Sequence, residues 1–167
     1  HFAIRRQRQM CIRDRSSYVY SENSNLNLKK IHGRQLSFNN YNDIFTALTI
    51  SKSLPKNKGT VVVKHSNPCG VSSKNNNLES YKSAVSCDPI SAFGGVVACN
   101  YKINNKIALE INKTFFEVIL AKGFDKSALR IFKKKKNMRI IDISKFNYES
   151  KTISKFFDNS FLLQEKD

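Results

Sequence analysis

The 167-residue sequence predicts an α/β fold with three layers, in which helices cover both sides of a mostly parallel sheet. Short apolar runs that suit buried strands alternate with helical patterns of about ten residues. This alternation is typical of βαβ units, whose strands lie parallel in one sheet. The length is that of a single domain.

Each predicted element has its own signal. The run 60–63 is apolar and β-branched, as in a strand buried on both faces. Upstream, an Asn-rich polar stretch predicts a long loop, followed by a helix with Asp43 as its N-cap. A Ser- and Asn-rich loop is expected after His65. Further helices are predicted at 78–87, 105–113 and 125–134, and further strands at 94–99, 117–121 and 138–143.

Residues 1–15 differ from the rest of the chain. They contain five arginines and no apolar periodicity, which predicts a non-native or disordered leader before a domain at 16–167. No apolar stretch reaches the about 18 residues of a membrane span, and no apolar run follows the arginines to form a signal peptide. We therefore expect a cytoplasmic protein without membrane contact.

The formal charge of +16 suggests a second function class, a basic module that binds nucleic acid. The leader accounts for +4 of this charge and leaves +12 for the rest. The lysines at 133–136 close a predicted helix, where cations complement the helix dipole. The preferred interpretation is a field that steers small anions, without nucleic acid as partner. The alternative predicts salt-dependent binding that survives removal of residues 1–15.

The cysteines argue against a metal centre. None of the four forms a closely spaced pair, so reduced thiols are expected, with Cys87 and Cys99 as small buried hydrophobes. A zinc nucleobase deaminase needs His-x-Glu and Pro-Cys-x-x-Cys. Here Asn67 replaces the glutamate and Ser72 replaces the second cysteine, so no catalytic metal is expected.

Candidate reactive groups follow the first buried strand. The imidazole of His65 can take a proton near neutral pH, and the ammonium of Lys64 can stabilise developing negative charge. The structural alternative is a histidine that only hydrogen-bonds a turn.

Two further candidates precede later strands. Gly94 and Gly95 allow close approach of a ligand, with exposed N–H groups that suit a phosphate or carboxamide, or they form a plain tight turn. Glu117 either faces a ligand or lies at the solvent rim. Ligands of such sheets bind beyond the carboxyl ends of strands. That rule indicates four places, namely 64–65, the loop before Gly94, the region of Glu117 and the end of the last strand.

Taken in order, several segments resemble the AICAR transformylase family, where AICAR is 5-aminoimidazole-4-carboxamide ribonucleotide. They include Lys-His-Ser-Asn-Pro-Cys-Gly at 64–70 and Cys-Asp-Pro-Ile-Ser-Ala-Phe-Gly-Gly at 87–95. Segments 33–40, 116–121, 135–139 and 162–164 add to the resemblance.

The resemblance implies a cytidine-deaminase-like fold without zinc, and a phosphoribosylaminoimidazolecarboxamide formyltransferase. Such an enzyme moves the formyl group of 10-formyltetrahydrofolate, its co-substrate, to the 5-amino group of AICAR. It implies that His65 accepts the amine proton and that Lys64 assists departure of the folate nitrogen. The implied substrate contacts are Tyr20, Gly94 and Glu117, with Asn67 and Phe93 as wall residues.

The resemblance also bears on what surrounds this segment. The family protein is bifunctional, with an IMP cyclohydrolase domain and a second transformylase half that acts partly across a homodimer. We therefore expect this chain, as the first half, to have little activity alone. Val19 stands where the family has an arginine that contacts the nucleotide. A non-catalytic paralogue is the remaining alternative.

Overall fold

The computed structural model of the protein describes residues 27–146, 152–158 and 160–165. These residues form a six-stranded sheet and a two-stranded ribbon. The sheet contains β1 (Lys29–His32), β2 (Gly59–Lys64), β3 (Asn67–Ser73), β4 (Val96–Cys99), β5 (Val118–Ala121) and β6 (Arg139–Asp142). The ribbon contains β7 (Thr152–Phe157) and β8 (Ser160–Glu165). The helices are α1 (Phe38–Lys52), α2 (Asn77–Cys87), α3 (Pro89–Ala92), α4 (Asn105–Ile111) and α5 (Lys126–Phe132).

The sheet is mixed, with strand order β1-β6-β5-β4-β2-β3. Strands β4, β5 and β6 are parallel to one another. The pairs β1–β6, β2–β3 and β2–β4 are antiparallel. The α/β class is confirmed, and the expectation of a mostly parallel sheet is wrong.

The sequence did not predict β1, β3, β7 and β8, and within the six-stranded sheet the two unpredicted strands, β1 and β3, lie at the edges. An edge strand pairs on one side only and tolerates charged and polar side chains. The polar sequence around β1 and the Ser- and Asn-rich sequence of β3 are therefore typical of loops. β3 even contains Pro68, which is compatible with an edge position.

Helix α1 begins earlier than predicted. Its N-cap is Ser37, whose hydroxyl accepts the N–H of Asn40, while the Asn40 side chain accepts the N–H of Ser37. This reciprocal pair satisfies two of the N–H groups that a helix start leaves without partners. The prediction of Asp43 as N-cap is wrong, because that residue lies in the second turn of the helix.

The apolar core lies on both faces of the sheet. On one face, strand residues such as Val62, Val97 and Ile119 pack with residues of α2, α4 and α5. On the other face, alternate residues such as Val61 and Leu120 pack with α1. The predicted strands 60–63 and 117–121 are thus confirmed as the buried centre of the sheet.

Strand β3 passes very close to α2. A Cβ atom at Gly70 would overlap with the carbonyl oxygen of Ala84 in that helix. Only glycine, which has no Cβ, permits this approach of strand to helix.

The two cysteines expected to be buried differ. Cys99 is fully buried in β4, as predicted. Cys87 is exposed at the end of α2, where its thiol donates to the carbonyl of Ser83 at 3.3 Å, so its predicted burial is wrong. An apolar neighbourhood in the sequence does not fix which face of a helix end a residue occupies.

Within residues 27–146, 152–158 and 160–165, no helix is long and apolar enough to cross a membrane.

Candidate active site

The candidate residues meet at one end of the sheet because β2 is antiparallel to β4. Val63 of β2 pairs with Val96 at the start of β4, and Val96 pairs with Val118 at the start of β5. Arg139 at the start of β6 continues the row. The carboxyl end of β2 therefore lies beside the amino ends of β4, β5 and β6.

This arrangement corrects part of the prediction. Carboxyl ends alone do not define the site, since the carboxyl end of β2 lies beside the amino ends of β3, β4, β5 and β6. The end of the last predicted strand, at Asp142, lies at the opposite end of the sheet. Three of the four expected places come together, and the fourth does not.

Lys64 and His65 lie at a two-residue hairpin turn. Lys64 pairs with Asn67, and His65 and Ser66 connect the two strands. Their φ angles are +53° and +59°, as in a type I′ turn. Positive φ at residues other than glycine costs about 1–3 kcal/mol each and persists only where the surroundings compensate.

The compensation comes from helix α1. The carboxylate of Asp43 accepts the backbone N–H of Ser66 at 2.6 Å and that of His65 at 3.3 Å. Asp43 is 9% exposed, whereas His65 and Ser66 are exposed. A buried carboxylate thus holds the backbone of an exposed turn.

The ammonium of Lys64 reaches towards the glycine pair. Its Nζ donates to the carbonyl oxygen of Phe93 at 2.7 Å. Gly95 is needed here because a Cβ atom would lie 2.7 Å from the carbonyl oxygen of Val63. Gly94 has a φ of +77°, which favours glycine. Gly95 thus permits the close approach of the β2 backbone.

The N–H groups of the glycine pair already have protein partners. Gly94 donates to the carbonyl of Phe115 at 2.8 Å, and Gly95 donates to that of Ala92 at 3.1 Å. Of the two alternatives for the glycine pair, these contacts favour the tight turn over N–H groups exposed for a phosphate or carboxamide. The turn uses them to fix its own shape.

Glu117 is held from two sides. Its Oε2 accepts the side-chain N–H of Asn40 at 3.0 Å and lies 3.6 Å from Nη1 of Arg139. Arg139 is buried, and its Nε donates to the carbonyl of Gln35 at 3.0 Å. The Glu117 side chain is nevertheless 44% exposed. It is therefore an oriented carboxylate at the surface of the site.

The two predicted wall residues also lie at this end. Asn67 donates its side-chain N–H to the carbonyl of His65 at 2.9 Å and so closes the turn. Phe93 is 58% exposed, and its ring centroid lies 5.4 Å from that of Phe115. Tyr20 lies outside the described residues, as do residues 1–15.

A short helix positions the Phe93 carbonyl, to which the Lys64 ammonium donates. Asp88 caps α3, which ends at Ala92, directly before Phe93. The hydroxyl and backbone N–H of Ser91 lower the pKa of Asp88 below its ordinary value. Burial and the charge of Asp88 raise the pKa of the neighbouring Cys69 thiol. The ionised cap and the protonated thiol are thus the forms that this surrounding favours.

Sequence reasoning missed three side chains that hold the site together, namely Asn40, Asp43 and Arg139. Their partners are far away in the chain, so no local pattern reveals them. One available signal was Ser37 with an amide three residues later, which resembles a capping box. That pattern places the start of α1 at 37 and Asp43 inside the helix.

Comparison with known proteins adds the family to this geometry. The model of the AICARFT/IMPCHase bienzyme family matches residues 6–167. The chain belongs to this family. The resemblance identified in the sequence is therefore confirmed.

The family relatives include bacterial bifunctional purine biosynthesis proteins PurH. That of Thermoanaerobacter sp. (strain X514) is 42% identical over 139 residues, which cover 83% of this chain and 27% of the relative. That of Acetivibrio thermocellus is 44% identical over 115 residues, which cover 69% and 22%. That of Prochlorococcus marinus (strain MIT 9515) is 37% identical over 150 residues, which cover 83% and 29%. The chain thus spans about a quarter of the length of these AICARFT/IMPCHase family members.

Proposed function

We propose that residues 16–167 form the first, cytidine-deaminase-like half of an AICAR transformylase domain. The reaction is formyl transfer from 10-formyltetrahydrofolate to the 5-amino group of AICAR, in the synthesis of IMP. Family membership supports this proposal. The fold is compatible with it, since a hairpin and three parallel strands form one sheet with helices on both faces, as in a three-layer α/β/α arrangement.

The single observation that carries the proposal is the convergence of three groups. The imidazole-bearing turn at His65, the ammonium of Lys64 and the oriented carboxylate of Glu117 belong to one end of the sheet. An acid–base residue beside a cation and a carboxylate is what proton transfer to and from a bound amine requires.

His65 is the proposed base. The 5-amino nitrogen of AICAR attacks the formyl carbon, and a bond forms between them. The imidazole accepts the proton that the amine loses, because a weakly nucleophilic aromatic amine is a much better nucleophile once that proton is taken away. A histidine is suited to this role because its ordinary pKa lies near neutrality.

Lys64 is the proposed electrostatic and acid partner. The attack converts the formyl oxygen into an oxyanion, which a nearby ammonium stabilises. The intermediate then collapses, the carbonyl forms again, the bond between the formyl carbon and N10 of the folate breaks, and N10 takes up a proton from the Lys64 ammonium. The 2.7 Å contact of Lys64 with the Phe93 carbonyl fixes the ammonium beside the glycine turn while this happens.

The nucleotide is proposed to lie along the glycine turn. Glu117 offers the carboxylate oxygen opposite its Asn40 contact to a hydroxyl or amine of the substrate. Gly94, with no side chain, leaves room beside it. Phe93 and Asn67 flank the site, and Tyr20 is carried over from the family pattern alone.

The whole protein would carry further parts of the activity. We propose that AICAR and the folate bind to a homodimeric, cytoplasmic protein that also has IMP cyclohydrolase activity. The 167-residue chain alone is then expected to show little formyl transfer. No nucleic acid or membrane takes part.

The proposal is tested by replacing the matching segment of the Thermoanaerobacter PurH relative with residues 27–146 of this chain. In an active chimera, His65→Ala should lower kcat for formyl transfer by about 10²- to 10⁴-fold, because one general base is lost. His32→Ala is the matched control. His32 lies on edge strand β1, and its imidazole contacts the backbone carbonyl of Lys135 and has no proposed role in the reaction. Transfer is measured as tetrahydrofolate release.

A second pair of variants tests the ammonium. Lys64→Met should lower kcat, whereas Lys122→Met, at the opposite end of the sheet, should not. Undiminished transfer with His65→Ala and Lys64→Met would exclude the assigned roles.

A further inference from the structure

One carboxylate of α1 belongs to the site although it faces away from solvent. Asp43 is 9% exposed in the second turn of the helix, and its two oxygens accept from consecutive N–H groups of the hairpin turn. The shorter of these contacts is 2.6 Å, to Ser66. Hydrogen bonds to a charged acceptor are about twice as strong as neutral ones.

The turn needs this support. A type I′ turn normally carries Asn, Asp or Gly at its two central positions, because both have positive φ. Here the positions are His65 and Ser66, with φ of +53° and +59°. The sequence of the turn alone therefore favours other backbone conformations, in which the imidazole would project elsewhere.

The same helix also holds the carboxylate of the site. Asn40, one turn before Asp43, donates its side-chain N–H to Glu117 at 3.0 Å. The side-chain oxygen of Asn40 accepts the backbone N–H of Ser37, so the amide is fixed by the helix cap. Residues three apart lie on one face of a helix. One rigid face of α1 thus sets the position of the His65 turn relative to Glu117.

We propose that Asp43 is a positioning residue, which holds the His65 turn in the conformation required for formyl transfer. Asp43 acts through the backbone of the turn and touches neither substrate nor the transferred group. This role rests on the proposed function of His65. It adds a residue that the family comparison and the sequence pattern leave without a role in the site.

The structural part is tested in the 167-residue chain by amide hydrogen exchange. The N–H of Ser66 should be protected in the unsubstituted chain, and Asp43→Ala should speed its exchange by at least about tenfold, as expected for loss of a hydrogen bond to a carboxylate. Asp43→Asn keeps one acceptor oxygen and should retain most of the protection. Equal protection of Ser66 in all three chains would overturn the proposal.

A backbone rescue separates this role from simple packing. Glycine adopts positive φ without support. In Asp43→Ala/Ser66→Gly, the turn therefore no longer depends on the carboxylate at its second position. If Asp43 only stabilised α1, adding glycine at position 66 would not recover the kcat that Asp43→Ala loses.

The functional part uses the chimera with the Thermoanaerobacter relative. Asp43→Ala should lower kcat by about 10- to 100-fold, the effect expected from a displaced catalytic group, with KM for AICAR changed less than about threefold. Adding Ser66→Gly should recover a large part of kcat, so Asp43→Ala should lower kcat less in the Ser66→Gly chimera than in the unsubstituted one. An unchanged kcat in Asp43→Ala would contradict the proposal.

Failure of this inference and failure of the proposed function give different results. If His65→Ala abolishes transfer but Asp43→Ala has no effect on kcat, the function stands and the positioning role falls. If Asp43→Ala frees the Ser66 amide while His65→Ala leaves transfer intact, the turn is held as proposed but has no catalytic use.

Discussion

The two ends of the six-stranded sheet differ in what their polar residues do. At the end formed by Lys64, Glu117 and Arg139, buried side chains hold groups that are themselves exposed or half-exposed. At the opposite end, Asn100 is buried and accepts the N–H of Gly59 at 2.7 Å, while donating to the carbonyl of Pro55 at 3.0 Å. Its amide joins loops to each other and presents nothing to solvent.

The opposite end also contains a hollow of about 280 Å³. It is lined by lysines, an amide, a hydroxyl and apolar side chains, and no histidine, carboxylate or thiol lines it among the described residues. At the first end, His65 is exposed and the Glu117 side chain is half-exposed. This hollow and the candidate reactive groups therefore lie at different ends of the sheet, and the candidate site is identified by exposed polar groups that buried side chains hold in place.

The largest contrast is expected in thiol chemistry. Burial raises the pKa of Cys99, at the end of β4 beside Asn100, to about 12. At pH 8 its modification by iodoacetamide should be at least about a thousandfold slower than that of exposed Cys87, because the thiolate is the reacting form. Peptide mass spectrometry after timed labelling measures both rates.

Two controls accompany the labelling. The Cys87→Ser variant should lose the label on the peptide that contains position 87, and denaturant should bring Cys99 to the rate of an exposed thiol. Comparable rates of Cys99 and Cys87 in the folded chain would show that the opposite end opens readily, and the contrast between the ends would not hold.

A smaller effect is expected from Asn100→Ala. The substitution leaves the N–H of Gly59 and the carbonyl of Pro55 without their partner, and should lower the free energy of unfolding by about 1–3 kcal/mol. Urea unfolding of the 167-residue chain measures the loss. Amide exchange of Ser66 under folding conditions should stay as before, since that N–H bonds at the other end. Faster exchange at Ser66 would mean that the two ends are not independent.

The smallest effect concerns acid. The pKa of Asp88 is lowered in the folded chain, so its ionised cap stabilises the fold above the unfolded-state pKa of about 4 and loses this contribution as the pH falls through the lower folded value. The midpoint temperature of thermal unfolding should therefore fall slightly more from about pH 5 to about pH 3 in the unsubstituted chain than in Asp88→Asn. Asparagine keeps an acceptor oxygen for the helix cap but does not titrate. Parallel pH profiles of the two chains would contradict this.

The part of the fold that the sequence predicts is the part that is buried on both sides. The runs around Val61 and Ile119 are apolar because helices cover both faces of the sheet there, and this makes them recognisable. Strands β1 and β3 lie at edges, and their polar residues conceal them. Their absence from the prediction is also why the sheet was expected to be mostly parallel.

For the site, the sequence predicts the groups but not what holds them. Lys64, Gly94 and Glu117 each flank a strand, so their convergence follows from a sheet of adjacent strands. The contacts of Asp43 with Ser66 and of Asn40 with Glu117 join residues 23 and 77 positions apart. Such pairs depend on the path of the whole chain, and no spacing rule contains them.

The close approach of Gly70 to Ala84 has a consequence for substitutions in β3. Every residue except glycine carries a Cβ that would collide with the carbonyl oxygen of Ala84 in α2. A larger residue at position 70 would therefore force the strand and the helix apart. Because β3 is the second strand of the hairpin that bears His65, a change made on the buried side of the strand would displace the exposed turn.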